Sequence, residues 1–165
     1  MKIFRADLQV VLDNKFFEIS GESLGLDSVQ LTEDKIECTI HSEQASRGYY
    51  LKGKMAIAIQ NSCDRCLIDF GSKQDIPFSI LLTSDRDLIS NDEHDVIYYT
   101  EQEDAVDISP VLVENILLDR PLKKLCSADC KGLCPTCGCN KNEQECACPN
   151  EVPDSRWDVL KHKLI

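Results

Sequence analysis

The chain has 165 residues, of which 42% are hydrophobic and 28% charged, with a formal net charge of −11. That length allows one core of ordinary size, alone or with a small appended module, and excludes two large domains. The apolar content excludes global disorder, and the negative charge speaks against a protein that holds nucleic acid unaided.

The opening MKIFRADLQVVLDNKFF has neither the apolar stretch of a signal peptide nor the Arg/Ser bias of a transit peptide. No run approaches the roughly 18 apolar residues of a membrane span, so a cytoplasmic protein is expected. The first 84 residues read mainly as strands and turns. Ile36, Cys38 and Ile40 alternate on one face of a first segment, and Met55, Ile57 and Ile59 on one face of a second. A period of two is that of half-buried strands, here expected as neighbours in an antiparallel sheet. The sequence CDRC (63–66) then falls at a turn before the apolar stretches LIDF and IPFSILLT.

Residues 85–107 hold nine acidic side chains and one basic one around the strand-like VIYY (96–99). Such a run is either a solvated loop or a docking surface for something basic. DISPVLVENILLD predicts a helix near 110–119, with Ser109 as N-cap, Pro110 at the first position and Val113, Ile116 and Leu117 as its apolar stripe. Pro121 is expected to stop it. Ser155 with Asp158 resembles a capping box, and Trp157, Leu160 and Leu164 follow helical spacing, which predicts a closing helix. The histidines His41, His94 and His162 are joined by no motif to a nucleophile, and no phosphate-binding loop or HExxH is present.

Ten cysteines in a chain read as cytosolic point to metal and not to disulfides. They form two CxxC pairs, Cys63/Cys66 and Cys134/Cys137, a CxxxC pair Cys126/Cys130 and a CxC pair Cys146/Cys148. A structural zinc site needs two such pairs, so two Zn(2+) ions on these eight ligands are expected. The segment 126–148 has almost no aliphatic residues and needs a metal to order it. The expected sharing joins Cys134/Cys137 to Cys146/Cys148 and Cys126/Cys130 to Cys63/Cys66; the alternative joins the two CxxC pairs. Cys139 is left over as a spare that can substitute for a neighbour, and Cys38, on an apolar strand face, reads as a core residue.

CDRCL (63–67), PLKKLCSADCKGLCPTCGCNKNEQECACPN (121–150) and the terminal SRWDVLKHKL together resemble the YceD-type large-ribosomal-RNA (23S rRNA) accumulation proteins. The resemblance implies a non-enzymatic ribosome-biogenesis factor, without which large-subunit RNA falls. Acidity adds that such a factor suits a basic large-subunit ribosomal protein, or the pre-50S particle, better than bare RNA. The expected fold is α+β: an antiparallel sheet domain over 1–120 with one or two packed helices, and a zinc module with the closing helix over 121–165. The rivals are a thiol-disulfide oxidoreductase, suggested by CPTC, and a zinc-stabilised adaptor unrelated to ribosomes.

Overall fold

The computed structural model describes residues 1–10, 12–89, 95–100 and 102–148. The expected closing helix, with Ser155, Trp157 and Asp158, lies outside the described residues, as do Asp92, Glu93, His94 and Glu101. The elements run β1 (Lys2–Phe4), α1 (Arg5–Gln9), β2 (Lys15–Ile19), α2 (Gly21–Leu24), β3 (Ile36–Ala45), β4 (Gly48–Ser62), β5 (Asp69–Thr83), β6 (Asp95–Tyr98), β7 (Ala105–Asp107) and α3 (Ser109–Leu118), with a 3-10 turn at Arg86–Leu88. The fold is α+β. Five strands form one sheet in the order β2-β3-β4-β5-β6, and β1 pairs with β7 in a second, two-stranded sheet.

The alternation read from the sequence is the alternation of the main sheet. The two segments are antiparallel neighbours, as expected, with Cys38 opposite Met55, and the row continues outward to Phe17 and Ile76. Ile36, Ile40, Leu51, Met55, Ile57, Ile59, Ile76 and Ile80 are all buried. They meet Ile3, Leu8, Leu24, Val106, Ile108, Leu112 and Ile116 in one core. One face of the sheet is thus roofed by the helices and the small sheet, with α3 lying on β5 and α2 on α3.

Four details depart from the sequence reading. The strand VIYY joins the sheet as β6, but parallel to β5, with Ile80 opposite Asp95. The short helices α1 and α2 were not expected, being too brief to show a helical period. Helix α3 starts one residue earlier than expected, with Ile108 as its N-cap. Ser109 is drawn away from capping because its hydroxyl contacts the Met1 amino group, which also pairs with Asp107 at 3.3 Å. The buried stripe of α3 is Leu112 and Ile116; Val113 packs at the core's margin and Leu117 faces solvent. A helix lying on a sheet face is rotated by its tertiary contacts, which propensity does not encode.

Strands β4 and β5 are each 15 residues long and pair along their whole length, from Gly48 opposite Thr83 to Ser62 opposite Asp69. β3 follows β4 only as far as the Glu37–Ala56 pair. Beyond it the hairpin projects, and the chain at 30–32 runs along β4, with Leu31 bridging Ile59 and the Thr32 amide donating to Ala58 at 2.9 Å. Residues 63–68 are the hairpin's tip.

Cys38 is fully buried between Phe17 and Met55, and burial pushes its thiol up to about 12. Cys38→Ser sets an unpartnered hydroxyl in that site, so a loss of roughly 1–3 kcal/mol of stability is expected by denaturant titration, while Cys38→Ala is expected to leave the protein's bound metal unchanged by elemental analysis.

Candidate metal centres

The hairpin tip turns tightly. The Cys63 amide donates to the Ile68 carbonyl at 2.9 Å, the Leu67 amide donates to the Cys63 carbonyl at 2.9 Å, and Leu67 takes a left-handed φ of 60°. The second CxxC repeats the pattern. The Cys134 amide donates to the Cys139 carbonyl at 2.8 Å, the Gly138 amide donates to the Cys134 carbonyl at 2.9 Å, and Gly138 has φ 74°. Each turn folds its two thiols to one side and aims amide hydrogens at the leading sulfur. The amides of Cys137 and Thr136 hold the Cys134 thiol down at about 6. Burial opposes ionisation of Cys63, yet the amides of Cys126, Cys66 and Arg65 outweigh it and also bring that thiol to about 6.

Residues 124–133 wrap the first turn. The Lys124 amide donates to Asp64 Oδ2 at 2.6 Å while the Asp64 amide donates to the Lys124 carbonyl at 2.8 Å. Arg65 Nη1 donates to the Cys130 carbonyl at 2.7 Å, and the Leu133 amide donates to the Arg65 carbonyl at 3.0 Å. Gly132, at φ 73°, lets the chain pass, for a Cβ there would stand 3.0 Å from the Arg65 carbonyl oxygen. Phe70, Leu125 and Leu133 cover the buried Cys63, Cys66 and Cys130.

The result is a first tetrad. The sulfurs of Cys63, Cys66, Cys126 and Cys130 all lie within 4.8 Å of one another, with Cys63 to Cys130 at 3.8 Å and Cys66 to Cys126 at 3.6 Å. Four sulfurs about 2.3 Å from a central ion stand about 3.8 Å apart, so the tetrad has the dimensions of a tetrahedral thiolate site. The donor set points the same way. Burial and the thiols of Cys66 and Cys130 push Cys126 up to about 12; four thiolates so close ionise together only around a cation. Asn142 is an outer partner that sequence spacing did not reveal. Its Nδ2 reaches Cys130 Sγ at 3.3 Å while its Oδ1 accepts the Lys131 amide at 2.7 Å.

A second tetrad unites Cys134, Cys137, Cys139 and Cys146, again within 4.8 Å of one another. Cys148, expected in that group, stands outside the set, facing Cys137 and Cys134. Each tetrad can hold one metal ion. Seven of the eight expected cysteines therefore fall in one tetrad or the other, Cys148 lies outside both, and Cys139 enters the second. Among the described residues His41 lies apart from both, on the outer face of the sheet, 3.5 Å from Asp13 and from Glu43.

Against known families, the model described as "Large ribosomal RNA subunit accumulation protein YceD" matches residues 51–162. The chain is 24% identical over 147 residues to uncharacterized proteins of Mycobacterium tuberculosis and Mycobacterium bovis, covering 88% of this chain and 70% of each relative. It is 26% identical over 136 residues to the "Large ribosomal RNA subunit accumulation protein YCED homolog 1, chloroplastic" of Arabidopsis thaliana, covering 67% of this chain and 42% of that protein. No solved structure matches it.

The shared turn geometry predicts an asymmetric response to exchanging Leu67 and Gly138. A left-handed residue with a side chain costs roughly 1–2 kcal/mol, part of which glycine returns through the entropy of the unfolded chain. Because Leu67 is 66% exposed, Leu67→Gly is expected to raise stability by up to about 1 kcal/mol, and Gly138→Leu to lower it by a similar amount, in thermal melts of the metal-loaded protein.

Proposed function

The chain belongs to the YceD family of large ribosomal RNA subunit accumulation proteins, and from that premise we propose that it is a non-enzymatic ribosome-biogenesis factor needed for large-subunit ribosomal RNA to accumulate. The observation that carries this is the extent of the match, residues 51–162, which contains all but the first three residues of the long hairpin and nine of the ten cysteines. The Arabidopsis relative bears the same function in its name.

Zinc is the metal we assign to both centres. Four-thiolate sets with CxxC turns suit a tetrahedral d10 ion, and a closed thiolate shell leaves no open position for substrate. That favours a structural role over catalysis. The oxidoreductase alternative asks that CPTC open a helix, whereas Cys134–Gly138 is a turn and no helix is present in the described residues 119–148. We read 121–148 as a metal-ordered module that the first centre fastens to the sheet domain of 1–120.

The partner we propose is a basic large-subunit ribosomal protein, free or within the pre-50S particle, met in the cytoplasm. Several acids of 85–107 already serve the fold: Asp85 pairs with Arg47 at 3.2 Å, Glu103 accepts the Thr100 amide at 2.8 Å, and Asp107 holds the Met1 amino group. The net charge of −11 still sets a field that speeds encounter with a cationic partner. No helix among the described residues is long and apolar enough to cross a membrane.

Depleting the protein is expected to lower mature large-subunit RNA relative to small-subunit RNA, read by RNA electrophoresis; an unchanged ratio would overturn the proposal. Co-sedimentation with large-subunit precursors is expected to weaken steeply as salt rises, and Asp92→Asn with Glu93→Gln and Glu101→Gln to flatten that slope. The purified protein is expected to hold two zinc equivalents. Removing Cys63 and Cys66 together should leave one and lower the melting temperature of the whole protein, because metal binding at the hairpin tip is coupled to folding.

A further inference from the structure

The two centres differ in how many sulfurs surround them. The first has four, and the tenth cysteine, Cys38, is locked in the core. The second has five. Gly138 reverses the chain so that Cys139 returns over the Cys134/Cys137 turn, its carbonyl accepting the Cys134 amide at 2.8 Å. Residues 140–144 then make one tight bend, with the Glu143 and Gln144 amides both donating to the Asn140 carbonyl at 3.1 Å. The bend brings Cys146 to the cluster, and Cys148 follows two residues later against Cys134 and Cys137. A tetrahedral ion takes four of these five, for a fifth thiolate adds charge and crowding without a coordination position.

Solvent reaches the two clusters differently. Cys63, Cys66 and Cys130 are buried, whereas at the second cluster Cys137 is exposed and Cys139, Cys146 and Cys148 are half-buried. A thiol left over here is both close to the metal and open to reagents.

Resting on the zinc reading above, we propose that Cys134, Cys137, Cys139 and Cys146 hold the second metal, and that Cys148 is a free thiol beside it, a modification site for soft electrophiles. Alkylation there is a simple displacement. The Cys148 sulfur forms a bond to the methylene carbon of iodoacetamide, the carbon–iodine bond breaks, iodide leaves with the electron pair, and the thiol proton passes to water.

The test uses the full-length zinc-loaded protein. Zinc is counted by elemental analysis, the protein is treated briefly with iodoacetamide without denaturant, and adducts are located by peptide mass mapping. One carbamidomethyl group on Cys148, with two zinc equivalents retained, is the expected result. In Cys148→Ser the native adduct should vanish with both zincs still bound. An adduct on Cys139 with both zincs retained would overturn the ligand set, absence of any adduct would show all five sulfurs engaged, and modification of Cys148 only with loss of a zinc would make it a ligand. A protein carrying no zinc before treatment would instead defeat the zinc reading itself, so the two failures are told apart at the first measurement.

Discussion

The contact between the hairpin tip at 63–66 and the chain at 124–133 governs how this protein is put together. The partners are some sixty residues apart, as in the Asp64–Lys124 and Arg65–Cys130 hydrogen bonds, and closing so long a loop carries an entropic cost that local structure does not offset. The strand-free stretch that follows α3 supplies little apolar surface of its own; Leu125 and Leu133 are spent covering the sulfurs. Four thiols in mutual reach supply the remaining cohesion only when a cation balances them, since their crowding pushes Cys126 up while neighbouring amides let Cys63 ionise readily. A metal held by this tetrad would act with the backbone hydrogen bonds as one device.

That device works because the hairpin is long. β4 and β5 continue past the end of β3, and the chain at 30–32 covers the exposed flank of β4, so the tip is carried on a paired, rigid stem. The same strands bear Met55, Ile57, Ile59, Ile76 and Ile80 in the core. A disturbance at the tip is felt along strands that the core cannot release independently.

Charge is distributed in a complementary way. Surface pairs such as Lys52–Glu43 and Lys35–Glu18 are exposed at both ends and contribute little to stability. The excess of acid is a property of the field outside the molecule, suited to steering a basic partner and not to holding the fold together.

By itself the sequence determined whatever depends on near neighbours. The period-two runs placed Cys38 and Met55 in the core and on adjoining strands, the Pro-containing segment placed a helix near 110–119, and the CxxC spacing marked two turns whose thiols point together. Only tertiary structure decided what depends on distant partners. The Met1 amino group draws Ser109 out of its cap, β5 offers a parallel edge to residues 95–98, and the sheet rotates α3 onto Leu112 and Ile116. At the second cluster spacing alone favoured Cys148 as a ligand and left Cys139 as a spare. The left-handed turn at Gly138 and the bend at 140–144 bring Cys139 among the four and leave Cys148 at the edge, because sulfur–sulfur distances follow from backbone dihedrals and not from the number of residues between them.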